Sequence, residues 1–359
     1  MKTRLLILAD DFTGALDTGV QFSKKGISTV VYANENVNPD YDRAEVCVMN
    51  LNSRHSRPED AFRKAFDAVR KTLERGDCFV YKKTDSTLRG NIGAELMAVI
   101  SAMGLENLDF IPAFPKLGRT TSGGIQYING KKLEDSEFAY DPMDPSDTSS
   151  VLDIVAKQMS ADPERVVIHD AETDQDLMDL AGLFRKEGGR RAFAGCAGFA
   201  EYMDRIIDFE KNTEAVFCRR GKLLLVCGSL NRNSLEQVRT AKEAGIPVFE
   251  FSDPDIISGT EGELNENGKC IAVWKPHISV TRRIMEDTQA DALCVFGGDT
   301  LHTLMEEMEI NELIPSGEIM PGVVCSTAFF EGREISLISK AGGFGDRDTA
   351  LNIFKEVLA

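Results

Sequence analysis

The stretch Leu5-Leu6-Ile7-Leu8-Ala9-Asp10-Asp11-Phe12-Thr13-Gly14-Ala15 opens the chain with an apolar run that ends at two carboxylates. The run predicts a buried strand, and the residues that follow, to about Gly26, predict a turn and a helix. Asp10 and Asp11 would then lie at the carboxyl end of the strand, where open α/β sheets bind their ligands. Two adjacent carboxylates are costly to bury without partners. This corner of the sheet is therefore expected to face water, or to hold cations and sugar hydroxyls.

Strand-like and helix-like segments alternate along the first half of the chain. Strands are predicted at Ser28–Tyr32, Ala44–Leu51, Cys78–Lys82, Asp109–Ile111 and Val166–His169, and helices at residues 58–73, from residue 92 onward and at residues 174–186. Such alternation is typical of a parallel sheet covered by helices. Residues 112–150 are rich in Pro and Gly and interrupt the pattern. A long irregular stretch of this kind is usually functional.

The length of 359 residues favours two domains over one. The segment Phe209–Gly221 is charged and lacks periodicity, which predicts a boundary there, with domains at residues 1–215 and 216–359. After the boundary, Lys222–Cys227 predicts a strand and Ser234–Ala244 a helix, so a second α/β unit begins. The predicted fold class is α/β, with two domains that are each a mainly parallel sheet flanked by helices.

The composition narrows the classes of partner. The chain has 41 Lys and Arg against 58 Asp and Glu, a net charge of −17, which argues against nucleic acid or an anionic membrane as the main partner. No apolar run is long enough to span a bilayer, and the short run before Asp10 is too brief for a signal peptide. A cytoplasmic protein is therefore expected. The eight cysteines are scattered without a C-x-x-C pair, which predicts buried thiols in a reducing compartment.

Charged and polar residues follow three of the predicted strands in the first half. They are Asp10 and Asp11, then Arg54, then Lys82, Lys83, Thr84 and Asp85. Because parallel strands end at one edge of a sheet, these residues are expected to lie together. Arginine can clamp a carboxylate through two hydrogen bonds, and Asp can accept from hydroxyls, so the set suits a hydroxylated acid. A solvated cationic loop is the alternative. Arg119, in the Pro- and Gly-rich stretch, is a further candidate for clamping phosphate or substrate.

In the second half, three apolar strands each end in small or polar residues before a helix. The candidate ligand contacts in these turns are Ser229, then Gly297, Gly298, Asp299 and Thr300, then Lys340, Gly342, Gly343 and Gly345. Glycine lets backbone amides approach a ligand, and a helix N-terminus adds unpaired N–H groups that suit phosphate. Glycine can also serve turn geometry alone, but three such turns favour a nucleotide or polyphosphate site. None matches G-x-x-x-x-G-K-[ST] or G-x-G-x-x-G.

Together these motifs resemble the four-carbon acid sugar kinases, and the resemblance runs from residue 5 to the C-terminus. It is carried by Ala9–Ala15, Ser53–His55, Lys82–Asn91, Pro112–Pro115, Gly118–Thr121, Gly297–Thr300 and Lys340–Gly345. The resemblance implies an N-terminal domain that binds a sugar acid and a C-terminal domain that binds ATP. It implies substrate contacts at Asp10 or Asp11, Arg54 and residues 82–85, and nucleotide contacts at Ser229, residues 297–300 and the loop at residues 342 and 343.

The resulting hypothesis is an ATP-dependent kinase that phosphorylates the 4-hydroxyl of D-threonate, D-erythronate or 3-oxo-tetronate, with the active site in the cleft between the domains. Arg54, with Lys82 or Lys83, would hold the substrate carboxylate. Asp11, or else Asp10, would orient the hydroxyl and accept its proton, because phosphoryl transfer depends mainly on positioning and charge neutralisation. Mg²⁺ would bridge the ATP phosphates and keep most of its waters.

Several alternatives stay open at the level of sequence. The protein could be a kinase of another small hydroxy acid or polyol on the same scaffold, or a non-catalytic ligand sensor, although the intact acids and glycine turns argue against the sensor. Lys340 could contact phosphate or be a surface lysine. The stereochemistry of the substrate and the metal ligands are not predicted, and a homodimer is a candidate assembly.

Overall fold

The computed structural model describes residues 2–34, 37–141, 144–159, 162–189, 191–211, 221–250, 255–273 and 278–358. The chain divides into two compact units, Met1–Asn212 and Thr213–Ala359. The boundary predicted between residues 215 and 216 falls within residues 212–220, outside the described residues. Among the helices that the structure describes, none is long and apolar enough to cross a membrane.

The first unit alternates strands with helices, as its sequence predicts. Its described strands are β1 (Leu5–Ala9), β2 (Thr29–Tyr32), β3 (Val46–Asn50), β4 (Phe79–Lys83), β5 (Leu108–Ile111), β6 (Arg119–Ser122), β7 (Ile125–Ile128), β8 (Lys131–Lys132), β9 (Val166–Ile168) and β10 (Ala192–Gly195). Its described α-helices are α1 (Phe12–Ser23), α2 (Pro58–Leu73), α3 (Ile92–Met103), α4 (Val151–Ala156), α5 (Asp174–Glu187) and α6 (Ala197–Ala200).

The main sheet of the first unit has the strand order β2-β3-β1-β4-β10-β5-β9, and its pairings are parallel. Strand β1 lies between β3 and β4, so that Ala9 is opposite Asn50 on one side and Lys83 on the other. Every residue of β1 is buried, as is typical of a strand covered by helices on both faces. The residues that follow β3, β1 and β4 are therefore brought to one edge of the sheet.

Helix α3 covers this part of the sheet with an apolar stripe. Ile92, Leu96, Val99 and Ile100 are buried at the helical spacing that the sequence shows. The helix ends at Gly104, whose φ of 64° is the left-handed conformation that favours glycine at a helix C-terminus. The stripe fixes the start of α3 against the end of β4, which positions the segment between them.

Residues 112–150 are more regular than the sequence suggests, and the expectation of an irregular stretch is wrong in part. They contain a second, antiparallel sheet in the order β6-β7-β8. The Asp170 carboxylate holds the turn between β6 and β7 by accepting from Gly123 N at 2.6 Å and Gly124 N at 2.9 Å. Both glycines have positive φ. These glycines therefore form a tight turn between two strands and do not indicate an irregular segment.

The second unit has its own sheet. Its described strands are β11 (Leu223–Cys227), β12 (Val248–Glu250), β13 (Lys269–Val273), β14 (Ala292–Phe296), β15 (Glu312–Met320), β16 (Val323–Phe330) and β17 (Arg333–Lys340). Its described helices are α7 (Arg232–Glu243), α8 (Ile256–Asn267), α9 (Ile278–Thr288), α10 (Gly298–Glu307) and α11 (Thr349–Leu358).

The strand order in this sheet is β12-β13-β11-β14-β17-β16-β15. The pairings from β12 to β17 are parallel, whereas β17, β16 and β15 pair in antiparallel fashion. Cys227, Phe296 and Lys340 are aligned at the ends of β11, β14 and β17. The three turns singled out in the sequence therefore leave one edge of the sheet side by side.

The described cysteines are mostly buried thiols, as expected. The free and buried ones are Cys47, Cys78, Cys196, Cys227, Cys270 and Cys294. Burial raises the pKa of the Cys78 and Cys227 thiols to about 11, so these two groups are unreactive near neutral pH. Cys325 departs from the expectation because it is disulfide-bonded.

Candidate functional site

Three carboxylates meet one guanidinium at the carboxyl edge of the first sheet. Arg54, which follows β3, places its Nε 2.7 Å from Oδ2 of Asp10, which follows β1. Its other nitrogens lie 2.9 Å from Oδ2 of Asp11 and 3.4 Å from Oδ1 of Asp85, which follows β4. The prediction that these strand ends come together is confirmed. We call this group, with Lys83 and Arg89, the Arg54 cluster.

Arg54 does not present the open fork that a substrate clamp needs. Each of its nitrogens faces a carboxylate, and only 13% of its side chain is exposed. Burial alone would lower the pKa of Arg54, but Asp10, Asp11 and Asp85 outweigh it and raise that pKa well above its ordinary value. That Arg54 holds the substrate carboxylate stays a prediction, and in this structure its guanidinium organises three acids of the protein.

Asp10 is the buried member of the acid pair, with 2% exposure. Its Oδ2 accepts from Arg54, whereas its Oδ1 is buried without a hydrogen-bond partner among the described residues. Burial by itself would raise the pKa of Asp10, but Arg54, Lys83 and Lys82 lower it to about 2. Asp10 thus stays ionised at neutral pH with one oxygen unused.

Asp11 is more open and is held by the first turn of α1. Its Oδ1 accepts from Gly14 N at 3.0 Å, and its Oδ2 accepts from Thr13 Oγ1 at 2.9 Å. A carboxylate in this N-cap position satisfies an unpaired N–H group and suits the helix dipole. Its side chain is 24% exposed, against 2% for Asp10. Asp11 is therefore the more solvent-accessible acid of the pair, and its carboxylate is held in place by the first turn of α1.

Lys82 and Lys83 have different surroundings, because neighbouring residues of a strand point to opposite faces. Lys82 is fully buried, its Nζ lies 3.1 Å from Oε2 of Glu95, and it donates to the carbonyl oxygens of Leu8 and Lys83 at 3.2 and 2.6 Å. That Lys82 binds substrate stays a prediction, and these contacts speak against it because its ammonium is enclosed by protein groups.

Lys83 is the lysine that joins the Arg54 cluster. Its Nζ lies 3.6 Å from Oδ1 of Asp10 and 3.7 Å from Oδ1 of Asp11, and among the described residues it donates no hydrogen bond. Burial would lower the pKa of Lys83, but the two Asp carboxylates raise it, so the ammonium stays charged. The Arg54 cluster therefore contains one cation, the Lys83 ammonium, whose N–H groups donate no hydrogen bond among the described residues.

Gly14 makes room for this ammonium. A Cβ atom at Gly14 would lie 2.2 Å from Nζ of Lys83 and 2.4 Å from Oδ1 of Asp11. Both distances are far below any normal contact, so a side chain here would displace Lys83 or Asp11. The glycine of the opening motif thus has a steric role at the site.

The segment between β4 and α3 is fixed by Asp85 and Arg89. Asp85 accepts from Thr87 N at 3.1 Å and from Nε and NH2 of Arg89 at 2.9 and 3.0 Å. Burial would raise the pKa of Asp85, but Arg54 and Arg89 hold it well below its ordinary value. Both oxygens of Asp85 accept hydrogen bonds from the protein, and its contact with substrate stays a prediction. Thr84 differs, because its buried Oγ1 has no partner among the described residues.

Sequence reasoning missed Glu95. This residue of α3 is 1% exposed, pairs with Lys82 and accepts a hydrogen bond from Ser53 Oγ. Burial raises the pKa of Glu95, against the opposing effect of Lys82. The signal was present in the sequence, because Glu95 lies three residues after Ile92 on the apolar stripe of α3. A carboxylate at such a position needs a buried partner.

Arg119 lies on β6 and is half-buried. Its Nε is buried without a hydrogen-bond partner, and it makes no ion pair among the described residues; NH1 donates to the Leu117 carbonyl oxygen. Burial lowers the pKa of Arg119. Its role as a clamp for phosphate or substrate stays a prediction. The prediction is supported by the Nε–H group, which has no hydrogen-bond partner among the described residues.

The turns after β11, β14 and β17 also pack closely. We call residues 228–231, 297–300 and 341–345 the glycine turns. Gly228 N and Ser229 N donate to the Phe296 carbonyl oxygen at 3.2 and 3.1 Å, and Gly297 N donates to the Lys340 carbonyl oxygen at 3.0 Å. A Cβ atom at Gly228 would lie 2.1 Å from Oγ1 of Thr300. Glycine is therefore required for the turns to approach one another.

The other predicted nucleotide contacts lie in the same turns. Gly298 begins α10, and Asp299 is exposed in the first turn of that helix. A Cβ atom at Gly342 would lie 2.6 Å from Oγ of Ser229, so the first and third glycine turns are in contact. The structure thus brings the predicted residues together, and their role toward a nucleotide stays a prediction.

Lys340 is a buried lysine rather than a surface lysine. It is 1% exposed, and its Nζ donates to Ala341 O at 3.0 Å, Phe344 O at 3.2 Å and Ser234 Oγ at 3.2 Å. The ammonium also lies 4.3 Å from the ring centre of Phe296. Burial lowers the pKa of Lys340 to about 8. The surface lysine considered from the sequence is therefore wrong, whereas contact with phosphate stays a prediction.

Two family models match the chain: a sugar-binding N-terminal domain over residues 5–163 and a nucleotide-binding C-terminal domain over residues 264–350. A D-threonate kinase of Salmonella typhimurium is 29% identical over 96% of this chain and 96% of its own length. A D-erythronate kinase of Heliobacterium modesticaldum is 30% identical over 70% of this chain and 63% of its own length. The chain belongs to the four-carbon acid sugar kinase family. It is thus a phosphotransferase, and its kinase relatives imply the use of ATP.

Solved structures share the fold of this sugar-acid kinase. A Salmonella typhimurium LT2 protein described as a candidate tRNA synthase superposes with a TM-score of 0.79, at 19% identity, over 99% of this chain and all of its own. This likeness shows the fold alone. A domain of unknown function from Bordetella bronchiseptica, solved with citrate as a domain-swapped dimer, gives a TM-score of 0.51 at 25% identity over 99% of this chain and 98% of its own.

Proposed function

We propose that this kinase transfers the γ-phosphoryl group of ATP to the 4-hydroxyl of a four-carbon sugar acid, with D-threonate, D-erythronate and 3-oxo-tetronate as candidate acceptors. The observation that carries the proposal is the likeness to D-threonate and D-erythronate kinases. The matched sugar-binding domain contains the Arg54 cluster, and the matched nucleotide-binding domain contains the glycine turns after β14 and β17. Each part of the reaction therefore has a candidate group of residues.

The substrate carboxylate is assigned to Lys83 rather than to Arg54 or Lys82. Its ammonium is charged, lies 3.6 Å or more from the acids it pairs with and donates no hydrogen bond among the described residues, whereas Arg54 and Lys82 both donate hydrogen bonds to protein groups. Thr84 Oγ1, buried without a described partner after the same strand, can bond a substrate hydroxyl or carboxylate. Arg119 is the second candidate cation. A hydrogen bond between charged groups is about twice as strong as a neutral one, so Lys83 supplies most of this affinity.

The proton of the attacking hydroxyl is assigned to Asp11. Its N-cap bonds fix its position, and its side chain is the more exposed of the pair. Asp10 is the alternative, because its Oδ1 accepts no hydrogen bond among the described residues, but a pKa of about 2 makes it a weak base and only 2% of it is exposed. The Arg54 cluster has three cationic side chains, Arg54, Lys83 and Arg89, against three carboxylates, so its formal charges balance before substrate binds.

The ATP phosphates are assigned to the glycine turns and to Mg²⁺. Unpaired amides at turns and at the start of α10 suit phosphate oxygens. Among the described residues there is no group of three or more His, Cys, Asp or Glu that could hold a metal. A magnesium ion bound chiefly by ATP phosphates and water fits such a donor set, because Mg²⁺ usually takes only one or two protein carboxylates. Asp299, exposed beside the second glycine turn, is the candidate carboxylate.

The Bordetella structure supports two finer points of the proposal. Citrate, which that protein binds, is a hydroxylated carboxylate, the class of ligand proposed here. That protein also forms a domain-swapped dimer, which supports a homodimer as the candidate assembly of this kinase. The cleft between two domains, expected from the sequence, stays a prediction.

The proposal is tested by measuring ATP consumption with a panel of acids. The panel holds D-threonate, D-erythronate, 3-oxo-tetronate and their stereoisomers, together with five- and six-carbon acids and the matching polyols. The proposal predicts turnover with one or more of the tetronates and identification of a 4-phosphate by mass spectrometry and ³¹P coupling. Turnover only with larger acids or polyols would favour a different substrate on the same scaffold. Tight binding of a tetronate without release of ADP would favour a sensor.

A further inference from the structure

A buried lysine gathers the carbonyl groups of the glycine turn after β17. Nζ of Lys340 contacts three carbonyl oxygens of this turn: Ala341 O at 3.0 Å, Phe344 O at 3.2 Å and Gly342 O at 3.4 Å. No acid pairs with Lys340 among the described residues. Its ammonium is instead surrounded by carbonyl oxygens, the Ser234 hydroxyl and the Phe296 ring. The turn is therefore wrapped around a cation.

Helix α7 holds the same carbonyl groups from its first two turns. Ser234 Oγ donates to Gly342 O at 2.9 Å, and Gln237 Nε2 donates to Phe344 O at 3.0 Å. Asn233 Nδ2 donates to Gly343 O at 3.2 Å. Lys340 and α7 thus fix the direction of four successive carbonyl groups.

The direction of a carbonyl group determines the direction of the amide in the same peptide unit. In a trans peptide the C=O and N–H bonds point to opposite sides, and the described chain contains no cis peptide. Because Ala341 O, Gly342 O and Phe344 O face Lys340, the amides of the residues that follow each of them point away from it. Those amides belong to Gly342, Gly343 and Gly345. Within the described part of the chain, none of the three donates a hydrogen bond.

The three residues that present these amides are glycines, so no side chain covers them. Gly345 has a φ of 81°, and a Cβ atom there would lie 2.3 Å from Oγ1 of Thr349. A Cβ atom at Gly342 would lie 2.6 Å from Oγ of Ser229. Successive unpaired amides in such a turn form a concave site for anions. The turn therefore has the form of a phosphate site whose shape depends on Lys340.

We infer that Lys340 is a positioning residue for ATP: it holds the carbonyl groups of the third glycine turn so that the amides of Gly342, Gly343 and Gly345 point at the phosphates. Lys340 touches no phosphate itself, because it is enclosed behind the turn. The inference rests on the proposed function, in which ATP phosphates bind at the glycine turns. It assigns the lysine of this motif a role that its sequence position alone does not suggest.

The test is the Lys340→Met variant, compared with wild type and with Lys355→Met, which removes an exposed lysine of α11. ATP and AMP binding are measured by titration calorimetry in the presence of Mg²⁺, and KM is measured for ATP and for the best tetronate. We expect Lys340→Met to weaken ATP about tenfold to a hundredfold, which is the loss of one or two hydrogen bonds to charged groups. The loss should be smaller for AMP, and KM for the tetronate should not change.

The Ser234→Ala/Gln237→Leu double variant tests the same mechanism without altering the lysine, and it serves if Lys340→Met does not fold. It removes two other donors to the carbonyl groups and should also weaken ATP more than AMP. Unchanged ATP affinity in both variants would overturn the inference while leaving the kinase intact. An effect of Lys340→Met without any effect of the double variant would also overturn it, in favour of direct contact. Absence of ATP binding by the wild type would instead overturn the proposed function.

Discussion

The Arg54 cluster and the glycine turn after β17 hold their candidate ligand-binding groups in opposite ways. In the Arg54 cluster, side chains of opposite charge fix one another, and one guanidinium contacts three carboxylates. In the glycine turn the candidate groups are backbone amides, and the Lys340 ammonium that holds the turn contacts carbonyl oxygens rather than carboxylates. A charge-paired cluster can select a small charged substrate, whereas amides of fixed direction suit a phosphate that every ATP molecule carries.

The two regions also treat a buried lysine differently. Lys82 has Glu95 as a partner, whereas Lys340 has no acidic partner among the described residues. Burial disfavours a charge unless opposite charge compensates it. Accordingly the pKa of Lys340 falls to about 8. The comparison therefore predicts that the two lysines respond differently to mutation.

The largest expected effect is on stability, from Lys82→Met. Removal of the lysine leaves Glu95 as an unpaired buried carboxylate, which costs about 3–5 kcal/mol of unfolding free energy. Urea denaturation at pH 7 measures the change. The Lys82→Met/Glu95→Leu double variant should recover most of the loss, because it removes both members of the buried ion pair. If Lys82→Met destabilises the protein no more than Lys340→Met does, the distinction between paired and unpaired lysines is wrong.

The next effect is on turnover, from Asp11→Asn. Loss of a positioned base lowers kcat by roughly a hundredfold or more. An amide oxygen at this position can still accept from Gly14 N, so the N-cap of α1 is kept and circular dichroism should be unchanged. Asp10→Asn is the matched comparison. A loss of only a few fold for Asp11→Asn, with the large loss in Asp10→Asn, would exchange the roles of the two acids.

Lys83→Met should separate the two regions kinetically. The variant removes the ammonium proposed to bind the substrate carboxylate, so KM for the tetronate should rise roughly tenfold or more. KM for ATP should stay near the wild-type value, the reverse of the pattern expected for Lys340→Met. Steady-state kinetics with each substrate varied in turn measures both constants. A rise confined to KM for ATP would contradict the prediction, because it would assign Lys83 to ATP binding rather than to the tetronate.

The smallest effect is a pH dependence of ATP binding. The pKa of Lys340 is about 8, so the ammonium is protonated below that pH and loses a proton as pH rises through it. Affinity for ATP should therefore fall several-fold from pH 7 to pH 9.5 in the wild type. The titratable groups that face Lys340 are the thiols of Cys227 and Cys294, whose pKa values burial raises above this range. Titration calorimetry should show a flat profile for Lys340→Met, and an equal decline in that variant would assign the effect to another group.

The sequence predicts which strand ends meet but not how their side chains pair. A parallel sheet with β1 between β3 and β4 brings Asp10, Arg54 and Lys83 together, and this follows from the order of apolar runs and charged turns. Alternation along β4 means that Lys82 and Lys83 cannot both face the same side. Which of the two lysines is enclosed depends on Glu95, a residue from a helix that packs across the sheet.

The second unit shows a similar limit. The apolar runs and glycines place three turns beside one another, as expected from parallel strands. The antiparallel strands β15 and β16 were not anticipated. The burial of Lys340 depends on where α7 and the Phe296 ring lie. The sequence places Lys340 two residues before the pair Gly342 and Gly343 and leaves a phosphate contact and a surface lysine equally open, because the carbonyl groups that surround its ammonium depend on the folded turn.

The contact between Gly14 and Lys83 has a consequence for engineering a more heat-resistant enzyme. Replacing helical glycine by alanine is a common stabilising change, worth about 1 kcal/mol where space allows. In α1 the added methyl group of Gly14→Ala would lie 2.2 Å from Nζ of Lys83, so the variant would displace the ammonium proposed to bind the substrate while it raised helix propensity. A Cβ atom at Gly182 in α5 would have no atom within 4 Å outside its own stretch of helix. A thermostability library should therefore sample residue 182 and leave residue 14 unchanged.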